Sequence, residues 1–468
     1  MNRIVMVIPD RNVGWDGTRL LPLISPEECA GHAGLSAAGF LVDLMAEKSF
    51  VEGGARSDDL VMLTKPSERL REVVEKRMRQ SGGRLLVAND RVHSQTSRHL
   101  WQTRRLVGLP SAKTSTVRLS ARHARPGRRE MLRGLGPFSV LEVEGGEEVV
   151  ASWGNNGPPA ILGKTVRGFR RWRTGFGLDH LDSHDLVELV SALTGDNRGP
   201  RTLVPPVPSR ARAVVLLLHD VEEPIVGDSG GIRSVRKGIE ACLSAEARHG
   251  FRATYNLVGR FGGQIPDLVR RINAEGHELG SHGETHRVVA DLAGEALRRE
   301  ISGAEECIVR YAGAIIRGFR SPRSRWSGEL LDCLAERGYR WNAEVDPSPF
   351  PYRIPRGTPR PFVRVPVAVD DWDYVKKGST PAQVSKTWMQ AVRWGVKKGC
   401  WVVVGSHPSV LGVEPGRMSA FSDFLGWLAA EGVWVCTHGE ATDWWLTRMV
   451  GGEDEVEGAA PRMTMRQE

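Results

Sequence analysis

Apolar positions along the first part of the chain follow two alternating periods. Short, wholly apolar runs are typical of buried strands, and longer segments with apolar residues three or four positions apart are typical of helices. The strand-like runs cover residues 4–8, 60–63, 85–88, 140–143 and 149–153, and the helical runs cover residues 35–46 and 67–80. This alternation predicts an α/β layer fold with a parallel sheet.

A second alternation of the same kind begins near residue 213. It predicts a strand over residues 214–218, helices near residues 235–248 and 267–275, and further units to about residue 446. The preceding segment, residues 194–212, is dense in Gly, Pro and Arg and follows neither period, which is typical of a linker. We therefore expect an α/β domain over residues 1–195, a linker over 196–212, a second α/β domain over 213–448 and a flexible tail over 449–468.

Composition narrows the class of protein further. With 468 residues, of which 40% are hydrophobic and 26% charged, the chain is neither a disordered protein nor a small disulfide-stapled scaffold. Its six cysteines include no CxxC pair, which favours free thiols in a reducing compartment. The apolar run before Pro9 is too short for a signal-peptide core, and no run is long enough to span a membrane. A cytoplasmic protein without a membrane span is expected.

Basic residues are concentrated in part of the first domain. The net charge is only +8, but arginines are frequent from Arg98 to Arg133 and recur at Arg167, Arg170, Arg171 and Arg173. One interpretation is a phosphate-rich partner, such as a nucleotide-linked or lipid-phosphate-linked sugar, or nucleic acid. The alternative, which we prefer, is a solvated basic face, because no motif typical of nucleic-acid binding accompanies these arginines.

Two carboxylates follow the first apolar strand of the second domain. In the segment VVLLLHDVEEP, Asp220 and Glu222 come directly after the strand-like run. Positions two apart in an extended chain point to the same side, and ligands of parallel sheets bind beyond the carboxyl ends of the strands. Both carboxylates are therefore candidates to face one pocket. The alternative is a loop that carries solvated acids.

A pair of histidines follows in EGHELGSHGETHRVV. His282 and His286 are four positions apart, and on a helix that spacing directs both imidazoles towards one ion. Two histidines and one carboxylate form a typical catalytic zinc site. Surface or helix-capping histidines are the alternative. The strand-like HELGS before the pair, with Gly280 expected to allow a tight turn, favours the metal site.

Three more polar residues follow strand-like segments further along the chain. Arg320 stands before a proline in GFRSPRSRW, Asp346 does so in WNAEVDPSPF, and His407 ends the apolar run of WVVVGSHPSV. Each residue alone is compatible with an ordinary ion pair or turn. An ordered series of polar residues after strands, however, is typical of an active site at one end of an α/β domain.

The five motifs HDVEE, SHGETH, FRSP, the region of Asp346 and GSHP together resemble the polysaccharide deacetylase family, the NodB-homology hydrolases of carbohydrate esterase family 4. The resemblance covers about residues 213–446. It implies a distorted (β/α) barrel that binds a divalent metal ion, usually zinc, through one acid and two histidines. The first motif departs from the familiar pair of adjacent aspartates.

This resemblance implies a role for each candidate residue. His282 and His286 match the metal histidines. By analogy with a D-x-D variant, Asp220 would be the general base and Glu222 the metal ligand, with metal binding by Asp220 itself as the alternative. The remaining matches are Arg320 to the arginine that orients the base, Asp346 to an acidic partner of that arginine, and His407 to the general acid.

The expected activity is hydrolysis of an N-acyl group, N-acetyl in the first place, from an amino sugar or glycoconjugate, with a small molecule or glycan as substrate. Two alternatives remain open. The closing segment VWVCTHGEATDWW also resembles the cyclic-amide hydrolase and peptidoglycan deacetylase branch, which suggests a cyclic amide or imide hydrolase. The altered first motif would also suit a glycan-binding protein without activity.

The first domain shows a looser resemblance. The segment VVASWGNNGPPAILGKTVRGFRRWRTGFG resembles the glutamine amidotransferase-like, flavodoxin-like accessory domains of some glycosidases. A nucleophile elbow is not expected, because Cys29 lies in PEECAGHAG with no strand before it. A flavodoxin-like α/β accessory domain with a structural, substrate-binding or oligomerising role is the prediction.

Overall fold

The computed structural model describes residues 4–12, 14, 20–53, 56, 59–88, 115–119, 131–134, 141, 145–153, 159–175, 178, 183–194, 206–225, 228–356, 360–372 and 377–450. The chain forms two compact units. The first contains residues 1–10, 24–205 and 355–357, and the second contains residues 11–23, 206–354 and 358–468. Each unit is organised around its own sheet.

The first unit is an α/β domain. Its strands are β1 Ile4–Ile8, β2 Val42–Ala46, β3 Leu60–Thr64, β4 Gly83–Ala88, β5 Ser115–Leu119, β6 Met131–Gly134, β7 Glu148–Trp153, β8 Pro159–Val166 and β9 Phe169–Thr174. Its helices are α1 Pro26–Ala37, α2 Glu47–Val51, α3 Glu68–Ser81 and α4 Ser183–Thr194. The buried runs of β1, β3 and β4 are those that the apolar pattern predicted.

The sheet of the first unit combines two kinds of pairing. Strands β2, β1, β3, β4 and β9 lie side by side and are parallel, with the first four in the strand order of flavodoxin-like domains. Beyond β9 the sheet continues through β8, β7, β5 and β6 with antiparallel pairing. The predicted α/β sheet is confirmed. The antiparallel extension was not predicted, since its strands carry no feature that separates them from parallel ones.

One helix prediction in the first unit is wrong. Residues 35–46 do not form a helix, because α1 ends at Ala37 and Gly39 adopts a φ of +87°, a conformation that favours glycine. Residues 42–46 then form β2, which pairs with β1. The strand predicted over residues 140–143 lies outside the described residues apart from Leu141.

Two arginines of β9 contradict the predicted basic face. Arg171 and Arg173 are only 3% and 5% exposed. The Arg171 guanidinium donates to Glu75 Oε1 at 2.8 Å, and the Arg173 guanidinium donates to Glu147 Oε2 at 2.6 Å. Buried arginines are retained when carboxylates pair with them, and that is the case here. Of the arginines from Arg98 to Arg133, Arg118 on β5 and Arg133 on β6 are within the described residues, and the others lie outside them.

The second unit contains nine strands and a layer of helices within its described ranges. The strands are β10 Val214–Val221, β11 Thr254–Leu257, β12 Glu278–Ser281, β13 Gly318–Arg320, β14 Trp341–Val345, β15 Tyr352–Arg353, β16 Val363–Asp370, β17 Trp401–Ser406 and β18 Trp434–Cys436. The helices are α5 Ile232–His249, α6 Gly259–Gly262, α7 Pro266–Ala274, α8 Gly294–Ala312, α9 Gly328–Glu336, α10 Pro381–Lys398, α11 Pro408–Leu411, α12 Pro415–Leu428 and α13 His438–Val450. Short 3₁₀ turns cover Val289–Asp291 and Pro322–Ser324.

Seven parallel strands of the second unit close into a barrel. The order runs β10, β11, β12, β13, β14, β16, β17 and back to β10. The closure is uneven, because residues 218–221 of β10 pair with β11 whereas residues 214–216 pair with β18. The predicted distorted (β/α) barrel is confirmed. No helix within the described ranges combines the length and apolar content that a membrane crossing requires.

Strand alternation directs the polar residues of β10. Val214, Leu216 and Leu218 pack with the apolar core inside the barrel, whereas Val215 and Leu217 pack with the helix layer outside it. Successive side chains of a strand point to opposite faces, so Asp220 continues the inward series to the carboxyl end of the strand. The barrel therefore places this carboxylate at its open end.

Candidate active site

Asp220 lies at the carboxyl end of β10 and is 2% exposed. Asn256 Nδ2 donates to its Oδ1 at 2.9 Å, and Arg320 Nε donates to its Oδ2 at 3.4 Å. The same Oδ2 atom lies 4.0 Å from His282 Nε2 and 3.9 Å from His407 Nε2. One carboxylate oxygen is therefore surrounded by three nitrogen-bearing side chains.

The surroundings of Asp220 keep it ionised. Burial by itself raises the pKa of this carboxyl group, but the nearby His282, Arg320 and His407 outweigh burial and hold the pKa below its usual range. An ionised carboxylate at neutral pH can accept a proton. Asp220 thus has the protonation state that a general base requires.

Asn256, which holds Asp220, depends on a glycine of the neighbouring strand. A Cβ atom at Gly280 would lie 2.3 Å from Asn256 Oδ1, so only glycine leaves room for the amide. Gly280 lies inside β12 rather than in a turn. The prediction that it allows a tight turn is therefore wrong, and the close approach of Asn256 is the reason for a glycine here.

His282 follows β12 and is held as a neutral imidazole. Burial lowers its pKa to about 4. Its Nδ1 lies 2.7 Å from the carbonyl oxygen of Arg320, which can only accept, so Nδ1 carries the proton. Nε2 is left with a free lone pair directed towards the site. This is the arrangement that metal-binding histidines adopt in proteins.

His286 lies in a loop and not on a helix, so the predicted helical spacing is wrong. The backbone φ is +81° at Gly283 and +58° at His286, and these left-handed residues turn the chain back towards His282. The two imidazole centres lie 4.9 Å apart. The carboxylate of Glu300 fixes the loop by accepting from the Thr285 N–H at 2.7 Å and from its hydroxyl at 2.8 Å.

Glu222 completes a set of three candidate ligands. Its Oε2 lies 2.9 Å from His286 Nε2. One ligand atom from each of Glu222, His282 and His286 lies within 4.8 Å of the other two. Two imidazoles and one carboxylate at this separation fit a zinc-type ion that keeps a coordination position open. Asp220 belongs to a second such group, with Asp370 and His407.

His407 follows β17 and is paired with Asp371. Its Nδ1 lies 2.6 Å from Asp371 Oδ1, and its backbone N–H donates to Asp371 Oδ2 at 3.0 Å. Burial lowers the pKa of His407, but the carboxylates of Asp371 and Asp370 outweigh burial and raise it well above its usual value. The imidazole is therefore protonated at neutral pH, with an N–H at Nε2 facing Asp220.

Arg320 connects Asp220 to two further carboxylates. Besides Asp220, its guanidinium donates to Glu344 Oε2 at 3.3 Å and to Asp370 Oδ2 at 3.4 Å. Asp346, the partner expected from the sequence, lies elsewhere. Its two oxygens accept from the Tyr352 hydroxyl at 2.6 Å and from a backbone N–H at 3.1 Å. Among the described residues, Glu344 and Asp370 therefore take the place given to Asp346.

Sequence reasoning missed Asp370, Asp371 and Asn256. The two aspartates follow the apolar run of β16, in VRVPVAVDDWD, and thus repeat the pattern by which Asp220 was found. They could have been found by the same argument. Asn256 could not, because an amide inside a short strand is not distinguishable in sequence from a satisfied core residue.

Part of the second unit is similar to a known protein family. Residues 228–341 match the family model of polysaccharide deacetylases. The matched range includes His282, His286 and Arg320, whereas Asp220, Glu222 and His407 lie outside it. The predicted family resemblance is confirmed.

Curated relatives match the same region. The chitooligosaccharide deacetylase of Azorhizobium caulinodans is 34% identical over 103 residues, which cover 21% of this chain and 48% of that protein. The peptidoglycan-N-acetylglucosamine deacetylase of Bacillus cereus is 33% identical over 85 residues, which cover 18% of this chain and 30% of that protein. The chain thus spans about half the length of the chitooligosaccharide deacetylase and less of the second relative.

Two solved structures align with about half of this chain. A polysaccharide deacetylase from Mycobacterium smegmatis aligns with a TM-score of 0.47 and 21% identity, over 56% of this chain and 96% of that one. PuuE allantoinase aligns with a TM-score of 0.47 and 16% identity, over 53% of this chain and 95% of that one.

Proposed function

We propose that the second unit is a metal-dependent amidohydrolase that removes an N-acyl group, acetyl in the first place, from an amino sugar of a glycan or glycoconjugate. The observation that carries the proposal is the position of Asp220. One of its oxygens lies within 4.0 Å of His282, from the candidate metal group, and of His407, from the imidazole–carboxylate pair. The match to the polysaccharide deacetylase model and the similarity to two proteins named as deacetylases support the reaction class.

Glu222, His282 and His286 are the residues that would hold the ion, for which we propose zinc. When bound, a divalent ion there polarises the amide carbonyl and lowers the pKa of a water molecule. The chain supports this role by keeping His282 neutral and by fixing its ring through the Arg320 carbonyl. Glu300 supports it by holding the loop that carries His286.

Asp220 is proposed as the general base. It would take a proton from the attacking water as the oxygen bonds to the acyl carbon. Asn256 and Arg320 hold one carboxylate oxygen each, at 2.9 and 3.4 Å, so the group keeps a fixed orientation as it gains the proton. The low pKa of Asp220 keeps it ready for this step at neutral pH.

His407 is proposed as the general acid. An amine leaves as the C–N bond breaks only if its nitrogen is protonated, and the Nε2–H of a positively charged His407 can supply that proton. Asp371 holds the opposite nitrogen at 2.6 Å and stabilises the charged form. The Trp372 ring, centred 5.8 Å from the His407 ring, offers an apolar wall that suits a small acyl group.

Acetate release tests the proposal. Zinc-loaded protein is incubated with N-acetylglucosamine oligomers and with N-acetylated peptidoglycan fragments, and acetate and free amine are measured together. We expect equal amounts of both products from the wild type. In Asp220→Asn and His407→Ala we expect turnover to fall by at least about 100-fold while zinc content is unchanged.

The control is His249→Ala, which changes a partly exposed histidine at the end of α5. It should keep full activity. Zinc-loaded wild type that releases no acetate but opens a cyclic amide would replace the proposal with the cyclic amide hydrolase. Wild type that binds the glycan without any turnover would replace it with a glycan-binding protein.

A further inference from the structure

A buried polar cluster links the strand of the proposed base to the strand of the proposed acid. His219 on β10 and Ser406 on β17 are opposite each other in the strand register. His219 Nδ1 lies 2.8 Å from Ser406 Oγ. These two residues directly precede Asp220 and His407 in the chain. The cross-link therefore sits one residue before the base on one strand and one residue before the acid on the other.

Helix α5 anchors this cross-link from outside the barrel. Glu246 Oε1 lies 2.6 Å from His219 Nε2, and its Oε2 accepts from the Tyr255 hydroxyl at 2.7 Å. A carboxylate accepts, so His219 donates through Nε2. His277 Nδ1 lies 3.6 Å from the same carboxylate. Tyr255 belongs to β11, so the cluster connects β10 with its neighbours β11 and β17 and with one helix.

The same helix also fixes the segment after His407. A Cβ atom at Gly238 of α5 would lie 2.1 Å from the carbonyl oxygen of Pro408, and one at Gly412 would lie 1.9 Å from that of Ser234. Helices α5 and α11 therefore touch through their backbones. α11 begins directly after His407. Helix α5 thus contacts the chain next to the base and next to the acid.

Stability alone is a weak explanation for such a cluster. His219 and Glu246 are both fully buried. Taking charged or strongly polar groups out of water is costly, and apolar residues of similar volume often stabilise a core as well or better. Unlike apolar contacts, hydrogen bonds of fixed length favour one strand register and one distance between the strands. The distance between these strands determines the 3.9 Å separation of Asp220 Oδ2 and His407 Nε2 in this interpretation.

We propose that His219 is a positioning residue, and that its bonds to Ser406 and Glu246 set the distance between Asp220 and His407. The expected loss of activity rests on the proposed deacetylase function, whereas the expected change in the distance between Asp220 and His407 does not. His219 contacts neither substrate nor the candidate metal ligands in this role. It acts through the backbone of β10 and β17.

Four variants test the proposal by crystallography and by kinetics. His219→Leu removes both bonds, and Ser406→Ala removes only the bond between the strands. His219→Gln offers an amide N–H to Glu246 and an amide oxygen that can accept from the Ser406 hydroxyl. The control is Ser409→Ala, because Ser409 is as buried as Ser406 but its hydroxyl has no hydrogen-bond partner among the described residues.

In His219→Leu and Ser406→Ala we expect the separation of Asp220 and His407 to change by about 0.5 Å or more and kcat to fall by about tenfold or more, with KM and zinc content unchanged. His219→Gln should recover most of the loss. Ser409→Ala should match the wild type in both measurements. Ser406→Ala keeps the test decisive if His219→Leu does not fold.

An unchanged separation in crystals of Ser406→Ala would overturn the proposal, and so would an unchanged kcat together with a lower melting temperature, since the cluster would then only support the fold. Failure of the proposed function gives a different result. In that case wild type and variants alike release no acetate, while the crystal structures still decide whether the cluster sets the separation.

Discussion

At the scale of single residues, the site separates the charge states of two groups that lie 3.9 Å apart. Burial alone would protonate Asp220 and deprotonate His407, which is the reverse of what catalysis needs. The cations and imidazoles around Asp220 keep it ionised, and the paired aspartates Asp370 and Asp371 keep His407 protonated. The proposed hydrolysis requires an ionised base and a protonated acid in the same resting protein.

The role of Asp371 gives a pH prediction. Asp371→Asn removes the strongest of the carboxylate effects that raise the pKa of His407, so that pKa should fall. The imidazole then loses its proton at lower pH, and the alkaline limb of the kcat profile should move to lower pH. At pH 8 we expect kcat to drop about 100-fold. The measurement is acetate release across pH, with zinc content followed in parallel.

Asp423→Asn is the matched control, because Asp423 is an exposed aspartate on α12 of the same unit. Its profile should coincide with that of the wild type. An Asp371→Asn profile whose alkaline limb stays in place would mean that another group limits activity at high pH.

At the scale of elements, strand ends were predictable and loop geometry was not. Asp220 comes two residues after the apolar run of β10 and His407 directly follows β17, and side-chain alternation then fixes the face on which Asp220 lies. His282 and His286 have helical spacing in the sequence, yet positive φ at Gly283 and His286 brings them together in a loop. Nothing in local sequence distinguishes these two solutions, because the loop is held by distant Glu300.

Helix packing behind the site gives a stability prediction. Gly238→Ala on α5 would place a Cβ atom 2.1 Å from a backbone oxygen of α11, which cannot move aside easily. We expect the free energy of unfolding of the second unit to fall by about 1–3 kcal/mol. Chemical denaturation, monitored by tryptophan fluorescence, measures the change.

Gly426→Ala on α12 is the control, since a Cβ atom there would lie 4.0 Å from the nearest neighbour. Alanine favours a helix more than glycine does, so this variant should be unchanged or more stable by up to about 1 kcal/mol. Equal destabilisation in the two variants would show that glycine itself, and not the contact with α11, matters at these positions.

At the scale of the whole molecule, the two sheets differ in how far sequence could predict them. The alternation of apolar runs and helical segments was enough to predict that both units are of the α/β class. The antiparallel strands β5 to β8 and the closure of the barrel depend on pairing between distant segments, which a single sequence does not encode locally. The division into domains at residues 195 and 213 and the accessory role of the first unit stay predictions.

The barrel also predicts how stability depends on pH. His438, at the start of α13, is buried against Trp341, and burial lowers its pKa to about 3 from an ordinary value of 6.5. Between pH 6.5 and 3, His438 binds a proton in the unfolded chain but not in the folded chain. The free energy of unfolding should therefore fall as pH drops from 6.5 towards 3, with a slope of up to about 1.4 kcal/mol per pH unit from this residue.

Urea unfolding at a series of pH values measures that slope. His438→Gln removes the titrating group and should give a shallower loss between pH 6.5 and 4.5, whatever its stability at pH 7.5. His249→Gln, at a partly exposed position, should keep the wild-type slope. Parallel curves for wild type and His438→Gln would contradict the account.

The proposed function depends on a metal centre formed by Glu222, His282 and His286 beside Asp220 and His407. Elemental analysis of wild type and of His282→Ala/His286→Ala, both purified without added metal and then reconstituted with zinc, tests it most directly. We expect about one zinc ion per chain in the wild type and none in the double variant. The absence of metal from reconstituted wild type, or an equal amount in both proteins, would contradict it.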